Sequence, residues 1–315
     1  MTENSPTFAG PRPSAHFRRS VVLGGLGAAG RLFAELLRAD GAVTLVDRRS
    51  GETPPGMSLL VADACQPDAP LRAELNRADA VLVALPESAG IAAVEAIAAH
   101  LPPGALLAET SSVKSAIAEA LSRLAGRHDL EAAGVNPMFA PGLGFPGRPV
   151  LFARIRDGQR CRRLETLIEH SGARLVPVSV EGHDRLTAAL QVATHASVLA
   201  FGNALRLLGE DAAELTAAAP PPHRTMLALL ARIVTGTPEV YRDIQMAHPH
   251  ASDARAALAK SLAQLDAVST GPPDRFDALL EDLSAWLGPA RDQLAADCAD
   301  LFARLASRRP FDCTP

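Results

Sequence analysis

A glycine-rich stretch near the start of the chain has the spacing of a dinucleotide-binding loop. The apolar run SVVLGG leads directly into GGLGAAG, so that Gly25, Gly27 and Gly30 form a Gly-x-Gly-x-x-Gly pattern. Glycines at this spacing allow a tight strand-to-helix turn and bring backbone N–H groups against a pyrophosphate. Asp47 ends the next strand-like run, where a carboxylate accepts hydrogen bonds from ribose hydroxyls.

This loop predicts an adenosine-containing cofactor. Asp47 favours NAD, because a carboxylate repels the 2′-phosphate of NADP, although the adjacent Arg48 and Arg49 keep NADP as a less favoured alternative. S-adenosylmethionine is bound by a similar glycine-rich turn, so the motif alone does not establish redox chemistry. The residues predicted to bind the cofactor are Gly25, Leu26, Gly27, Gly30 and Asp47.

Polar side chains follow two later strand-like runs. In ETSSVK, Ser112 offers a hydroxyl and Lys114 an ammonium group, and ligands of open α/β sheets bind at the carboxyl ends of strands. Such a serine is also a common helix cap and such a lysine is commonly solvated. In GVNPMFAP, Asn136 precedes a proline, and this stretch taken alone favours a turn.

The second half of the chain carries a different set of polar residues on helical patterns. The stretch EGHDRLTAALQVATHASVLAFG places His183, Gln191 and His195 on one long helix, with the last two one turn apart. A later helix carries Arg224 and Arg232 in HRTMLALLAR. Taken alone, an arginine in such a position is more typical of a surface residue whose stem lies along apolar groups. The only tyrosine, in PEVYRDIQM, is predicted to be a packing residue.

The chain has two regions with different sequence patterns, and these patterns predict the secondary structure that positions the polar residues. Up to about residue 178, eight short apolar runs alternate with amphipathic stretches, which is typical of an α/β Rossmann-like domain with a mostly parallel, doubly wound sheet. Beyond residue 180, Ala/Leu-rich helical patterns predict an all-α domain of five or six helices. We expect a disordered tail over residues 1–18, a nucleotide-binding domain over 19–179 and a helical domain over 180–315.

The composition limits the class of protein. The 315 residues are 48% hydrophobic and 21% charged, with a formal net charge of -4, so no basic field attracts nucleic acid or an anionic membrane. No apolar run is long enough to span a bilayer. The four cysteines lack metal-ligand spacing and resemble reduced thiols. We expect a cytoplasmic protein with no nucleic acid, membrane or metal partner.

The motifs, taken in order, resemble the prephenate dehydrogenase family, and especially the dehydrogenase half of enterobacterial bifunctional chorismate mutase–prephenate dehydrogenases. The resemblance extends over residues 20–290. The segments that carry it are VVLGGLGAAGRLFAELL, ETSSVK, NPMFAP, GARLVPVSVEGHD, QVATHASVLAFG, HRTMLALLAR, PEVYRDIQM and AWLG.

The resemblance implies an NAD(P)-binding domain joined to a helical domain that forms a homodimer, with the active site between them. It implies that Ser112 lies beside the substrate hydroxyl and the nicotinamide, and that His195 binds substrate. It further implies that Arg232 binds a substrate carboxylate, with Arg224 nearby. Gln191, on the same face as His195, is grouped with these substrate-binding residues. The expected substrate is a small dicarboxylate, which suits the forked guanidinium of arginine.

The chain departs from the family at one catalytic position. The family motif is His-Pro-Met-Phe-Gly-Pro, and its histidine accepts a hydrogen bond from the hydroxyl on the ring carbon that loses hydride. Asn136 stands at this position here. An amide oxygen accepts a hydrogen bond but cannot take a proton, whereas general-base help is typically worth about 10²–10⁴-fold in rate.

An amine nitrogen on the reacting carbon is a stronger electron donor than a hydroxyl oxygen and needs less help from a base. Asn136 therefore favours 4-amino-4-deoxyprephenate, oxidised to 4-aminophenylpyruvate for antibiotic pathways that use p-aminophenylalanine. The first alternative is ordinary prephenate, oxidised to 4-hydroxyphenylpyruvate for tyrosine synthesis. The second is a repurposed relative, either an S-adenosylmethionine-dependent methyltransferase or a non-catalytic binding protein.

Overall fold

The computed structural model describes residues 16–306, and the chain divides into two compact units, Met1–Arg185 and Leu186–Pro315. The N-terminal unit contains one eight-stranded sheet with helices on both faces. Its strands are β1 (Arg19–Leu23), β2 (Ala42–Asp47), β3 (Ser58–Val61), β4 (Ala80–Val83), β5 (Leu106–Glu109), β6 (Glu131–Pro137), β7 (Pro149–Arg156) and β8 (Arg174–Pro177). Its helices are α1 (Ala28–Arg38), α2 (Ala69–Leu75), α3 (Glu87–Ile97), α4 (Ser115–His128) and α5 (Gln159–His170). The predicted α/β class is confirmed.

The strand order brings the polar strand ends together. The order is β3-β2-β1-β4-β5-β6-β7-β8, and every neighbouring pair is parallel except β6 and β7. From β1 the chain adds β2 and then β3 on one side of β1, and it then crosses over to form β4 on the other side. The carboxyl ends on either side of such a switch point form the crevice in which open α/β sheets bind ligands.

The sheet is buried on both faces, which explains the continuous apolar runs of its central strands. In β4, Val81 and Val83 pack with α2, α3 and α4, whereas Leu82 faces α1 and α5. This alternation follows from the two-residue period of a strand. The central strands therefore pack apolar side chains against helices on both sides of the sheet.

The described residues begin at His16, within the predicted tail of residues 1–18. Residues 1–15 of that tail lie outside the described residues, but Phe17 is completely buried. Its backbone N–H donates to Asp40 Oδ2 at 2.7 Å, and Arg163 pairs with the same carboxylate. Although burial alone would raise it, these contacts and one from His16 hold the pKa of Asp40 at about 2.

Helix α6 (Val180–Thr187) crosses the point at which the two units divide. The sequence places the domain boundary after residue 179, whereas the structure assigns His183 and Asp184 to the N-terminal unit. The reason is a set of hydrogen bonds from the start of α4 to the Asp184 carboxylate. The first turns of α6 are thus part of the nucleotide-binding unit.

The C-terminal unit is entirely helical over its described residues. After α6 it contains seven helices, more than the five or six predicted, because short helices form between the proline breaks. They are α7 (Thr194–Leu207), α8 (Ala212–Ala218), α9 (Pro221–Val234), α10 (Pro238–Arg242), α11 (Ala251–Ser269), α12 (Pro273–Leu287) and α13 (Arg291–Ala306). Between residues 16 and 306, no helix is long and apolar enough to cross a membrane.

Candidate active site

The loop between β1 and α1 is shaped by glycines that tolerate no side chain. A Cβ atom at Gly30 would lie 2.2 Å from Gly24 O, and one at Gly25 would lie 2.7 Å from Leu45 Cβ. Gly24 itself has a φ of +74°, the left-handed region that glycine favours. The loop therefore brings backbone against backbone at the start of α1, which is the geometry needed to hold a pyrophosphate.

Substitution of Gly30 by Ala is expected to abolish nucleotide binding and to destabilise the N-terminal unit, because backbone atoms are less able to move aside than a flexible side chain. The matched control is Gly126→Ala in α4, where an added Cβ meets nothing within 4 Å. That change should be neutral or stabilising by about 0.4–1 kcal/mol. Calorimetric titration with nucleotide and thermal unfolding of both variants make the measurement. Normal nucleotide affinity in Gly30→Ala would contradict the assignment of this loop.

Asp47, at the end of β2, faces the same loop. Its carboxylate accepts a hydrogen bond from Leu26 N–H at 3.3 Å and one from Arg49 N–H at 3.1 Å. The N-cap residue of α1 is Gly27, which provides no side-chain hydrogen bond, and the described first turn holds no acidic residue. An open helix N-terminus attracts anions, so the predicted residues Gly25, Leu26, Gly27, Gly30 and Asp47 lie together and fit a dinucleotide.

A buried ion pair holds the loop that carries Ser112. Glu109 ends β5 and Lys114 precedes α4, and both side chains are fully buried with Lys114 Nζ 2.6 Å from Glu109 Oε1. Lys114 Nζ also donates to the backbone oxygens of Ser111 and Val135. Burial lowers the pKa of Lys114, and the Glu109 carboxylate opposes that change. Lys114 is thus neither solvated nor a ligand-facing cation; it fastens the loop between β5 and α4 to β6.

Gly134 in β6 makes room for this pair. An added Cβ there would lie 2.7 Å from Glu109 Oε1 and 3.0 Å from Lys114 Cδ. Neither serine of the loop caps α4, because Ser111 Oγ lies 2.5 Å from Glu109 Oε2, and Ser112 Oγ has no hydrogen-bond partner within the described residues. Ser112 is half-buried at the carboxyl edge of the sheet, which leaves its hydroxyl able to meet a ligand.

Asn136 lies inside a strand rather than a turn. Strand β6 continues through Pro137, and Asn136 pairs in register with Leu151 of β7. The turn that the Asn-Pro step favours in isolation is therefore wrong for this chain, because pairing with β7 keeps the backbone extended. The Asn136 side chain is buried, and its Nδ2 lies 3.0 Å from His183 Nε2.

His183 connects Asn136 to a carboxylate that caps α4. His183 Nδ1 lies 2.8 Å from Asp184 Oδ1, and Asp184 accepts hydrogen bonds from the backbone N–H groups of Lys114 and Ser115 at 2.9 and 3.0 Å. Although burial alone would raise it, the hydrogen bonds from His183 and Ser115 hold the pKa of Asp184 at about 2. Burial, with help from the Lys114 charge, lowers the pKa of His183. The pair is therefore a neutral imidazole on an ionised carboxylate.

A second set of polar residues lies within the C-terminal unit. Gln191 falls in a π-helical segment, Ala188–Ala193, that continues directly into α7. Gln191 Oε1 and His195 Nδ1 are buried without a hydrogen-bond partner in the part of the chain that the structure describes. Segments of π-helix and unpaired buried polar atoms are both frequent at functional sites. These two residues are thus candidates for contact with a ligand.

Arg232 and Tyr241 flank His195. Burial, followed by the positive charge of the Arg232 guanidinium, lowers the pKa of His195. The His195 and Tyr241 rings meet edge-to-face with centroids 5.1 Å apart. Arg232 is exposed near the end of α9, whereas Arg224 is half-buried with Nη1 3.5 Å from Leu305 O of α13. Arg232 is therefore the more accessible of the two cations.

Three residues were not predicted to belong to this chemistry. The sequence assigns no role to His183 or Asp184, and it predicts Tyr241 to be a packing residue. The His-Asp dipeptide in α6, the helix that follows the last strand, is a sequence signal for this role, since a carboxylate commonly orients an imidazole. No group of three or more metal-ligating side chains exists between residues 16 and 306.

The fold and the site are typical of a class of enzymes with two domains. In this class, a nucleotide-binding α/β domain precedes a helical domain that has its own cluster of polar residues. The family models of prephenate dehydrogenase match both parts, the nucleotide-binding domain over residues 33–146 and the dimerization domain over residues 179–283. The chain belongs to the prephenate dehydrogenase family and is an oxidoreductase. The family predicted from the motifs is confirmed.

Individual relatives agree with this membership. A 4-amino-4-deoxyprephenate dehydrogenase of Streptomyces pristinaespiralis is 46% identical over 296 residues, which cover 93% of this chain and 99% of that protein. The T-protein of Haemophilus influenzae is 28% identical over 247 residues, 77% of this chain and 60% of that protein. The crystal structure of prephenate dehydrogenase from A. aeolicus in complex with hydroxyphenyl propionate and NAD+ shares the fold, with a TM-score of 0.67 at 17% identity over 89% of this chain and 98% of that one.

Proposed function

We propose that the chain catalyses the NAD-dependent oxidative decarboxylation of 4-amino-4-deoxyprephenate to 4-aminophenylpyruvate. The observation that carries this proposal is a buried amide, Asn136, at the position where the family motif has a histidine. The 46% identity to a 4-amino-4-deoxyprephenate dehydrogenase supports the same substrate. The glycine loop and the Asp47 carboxylate support NAD over NADP.

The reaction needs little acid–base chemistry from the protein. The ring carbon that bears the amine loses hydride while the quaternary carbon loses CO₂, and the electrons left by the carboxylate complete the aromatic ring. Bound NAD supplies the hydride acceptor. The carbonyl of Asn136 accepts a hydrogen bond from the amine and orients its lone pair toward the developing positive charge, while Ser112 offers a hydroxyl beside the same carbon.

The remaining proposed roles concern substrate binding. Arg232 forms a forked ion pair with a substrate carboxylate, and Arg224 adds positive charge. His195 and Gln191 offer the buried, unpaired atoms that a polar substrate group satisfies. Because burial and Arg232 both lower the pKa of His195, this residue binds as a neutral imidazole at neutral pH.

The purified protein with NAD is expected to produce NADH rapidly from 4-amino-4-deoxyprephenate and much more slowly from prephenate. The reason is that an amide can orient an amine but cannot deprotonate a hydroxyl. NADH absorbance under matched substrate concentrations makes the comparison, and liquid chromatography identifies the product. Equal or faster turnover of prephenate would show that the enzyme is an ordinary prephenate dehydrogenase.

Ligand-dependent melting separates the dehydrogenase from an S-adenosylmethionine-dependent methyltransferase. A ligand at 100 times its Kd stabilises the folded state by about 2.7 kcal/mol. NAD should raise the melting temperature and S-adenosylmethionine should leave it unchanged. The reverse result would remove the dehydrogenase from consideration.

A homodimer is proposed as the active form. The described C-terminal unit exposes large apolar side chains on α11 and α12, including Leu262, Phe276 and Leu283, and Trp286 is 80% exposed. Contiguous exposed apolar surface usually marks a protein interface, and the matching family domain is a dimerization domain. Sedimentation equilibrium should give the dimer mass, and a monomer at all concentrations would exclude it.

The cytoplasmic location stays a prediction.

A further inference from the structure

We infer that His183, held by Asp184, is a positioning residue that fixes the Asn136 amide with its carbonyl oxygen directed to the substrate amine. The inference rests on the proposed function, since it concerns how Asn136 meets that amine. It arises from an ambiguity that every asparagine carries. The two ends of an amide have nearly the same shape but opposite hydrogen-bonding properties.

Asp184 determines which ring nitrogen of His183 carries the proton. Its carboxylate oxygens already accept from the backbone N–H groups of Lys114 and Ser115 and from Ser115 Oγ. A carboxylate in this state can only accept, so His183 Nδ1, at 2.8 Å from Oδ1, must be the donor. In a neutral imidazole the proton on Nδ1 leaves a lone pair on Nε2.

The lone pair on Nε2 then selects the end of the amide that faces it. Asn136 Nδ2 is a donor and lies 3.0 Å from Nε2, whereas the opposite orientation would place two acceptors against each other. The site is buried at both residues, so no bulk water compensates for the wrong orientation. The carbonyl oxygen of Asn136, which has no partner among the described residues, is left for the amine.

Protonation of His183 would reverse this selection, because Nε2 would become a donor and the amide would turn. The charged groups around the ring oppose one another. Asp184 and Glu109 favour the imidazolium, whereas burial and Lys114 disfavour it. Burial has the largest effect, and the result is a lowered pKa for His183. The carbonyl orientation is therefore the stable one at neutral pH.

The first test is a double-mutant cycle with His183→Phe and Asn136→Ala. In the parent enzyme, His183→Phe should lower kcat for 4-amino-4-deoxyprephenate by about 10- to 100-fold, the size expected for a misplaced catalytic group. In the Asn136→Ala background it should change kcat by no more than about twofold, the scatter for residues that no longer interact. Glu181→Ala, an exposed change on the same helix, should leave kcat unaltered. An equal loss in both backgrounds would show a merely structural role and overturn the inference.

The second test needs no substrate, so it remains decisive even where the proposed function fails. Nitrogen NMR of the histidine-labelled protein, with His183→Phe used for assignment, reports which ring nitrogen is protonated. A neutral His183 with its proton on Nδ1 at neutral pH supports the inference. A proton on Nε2, in either the other tautomer or the imidazolium, would overturn it. Absence of turnover with wild-type enzyme would count against the proposed substrate alone.

Discussion

Replacement of Asn136 by His is expected to raise kcat/KM for prephenate by about 10²–10⁴-fold, the usual contribution of a general base. An imidazole at this position can donate one ring N–H to His183 Nε2, which lies 3.0 Å from the present amide nitrogen. Its other ring nitrogen then carries a lone pair that can take the proton of a ring hydroxyl. Turnover of 4-amino-4-deoxyprephenate should change much less, because the amine does not need a base.

The control for this change is Asn76→His, the same chemical replacement at the exposed end of α2. It should leave both activities as they are. Initial rates of NADH formation with each substrate give the selectivity ratio. If Asn136→His gains nothing with prephenate while remaining folded, residues other than Asn136 set the selectivity between hydroxyl and amine.

Removal of one partner of the Glu109–Lys114 pair should have the largest effect on stability. Lys114→Met leaves the Glu109 carboxylate fully buried without its cation, and breaking a buried pair typically costs about 3–5 kcal/mol in the free energy of unfolding. The loop with Ser112 and the backbone at Val135 lose their common tether. We therefore expect a loss of activity together with the loss of stability.

Two comparisons test the cause. The double variant Glu109→Leu/Lys114→Met should recover much of the stability, since apolar replacement of a buried pair is often nearly neutral. Glu35→Gln, which removes the exposed Glu35–Arg38 pair, should cost at most about 1 kcal/mol. Trp286 is the only tryptophan and lies in the C-terminal unit, so its fluorescence does not report directly on unfolding of the N-terminal unit. Amide hydrogen exchange in β5 and β6 is therefore the appropriate measurement. Full stability of Lys114→Met would show that the pair does not hold these elements together.

The fold followed from the sequence because its determinants are local. The run AVTLVD became β2 without a shift, and GGLGAAG became the turn into α1. Strand periodicity, glycine spacing and proline breaks act over a few residues, so they can be seen without knowing what packs against them. Helices α2 and α5 have weaker local signals, since their apolar residues are few and interrupted by charged ones.

Local sequence patterns carry only part of the information about the candidate site. The nucleotide loop was recognisable, and Asn136 was identified through its place in a family motif. The Asn-Pro step taken alone favours a turn, but the pairing between β6 and β7 outweighs this local preference. Lys114 is buried, although a lysine next to serines is commonly solvated. The local sequence does not show that Gly134 leaves space for its side chain beside the sheet.

The amino-acid sequence by itself determined the class of fold, the nucleotide loop, the family and the amide at position 136. Only the tertiary structure decided how that amide is held. Asn136 meets His183 across 47 residues, and Asp184 meets Lys114 across 70. Hydrogen-bond direction depends on which donor faces which acceptor in space. That pairing is set by the sheet and by the docking of α6 on α4, which no short stretch of sequence contains.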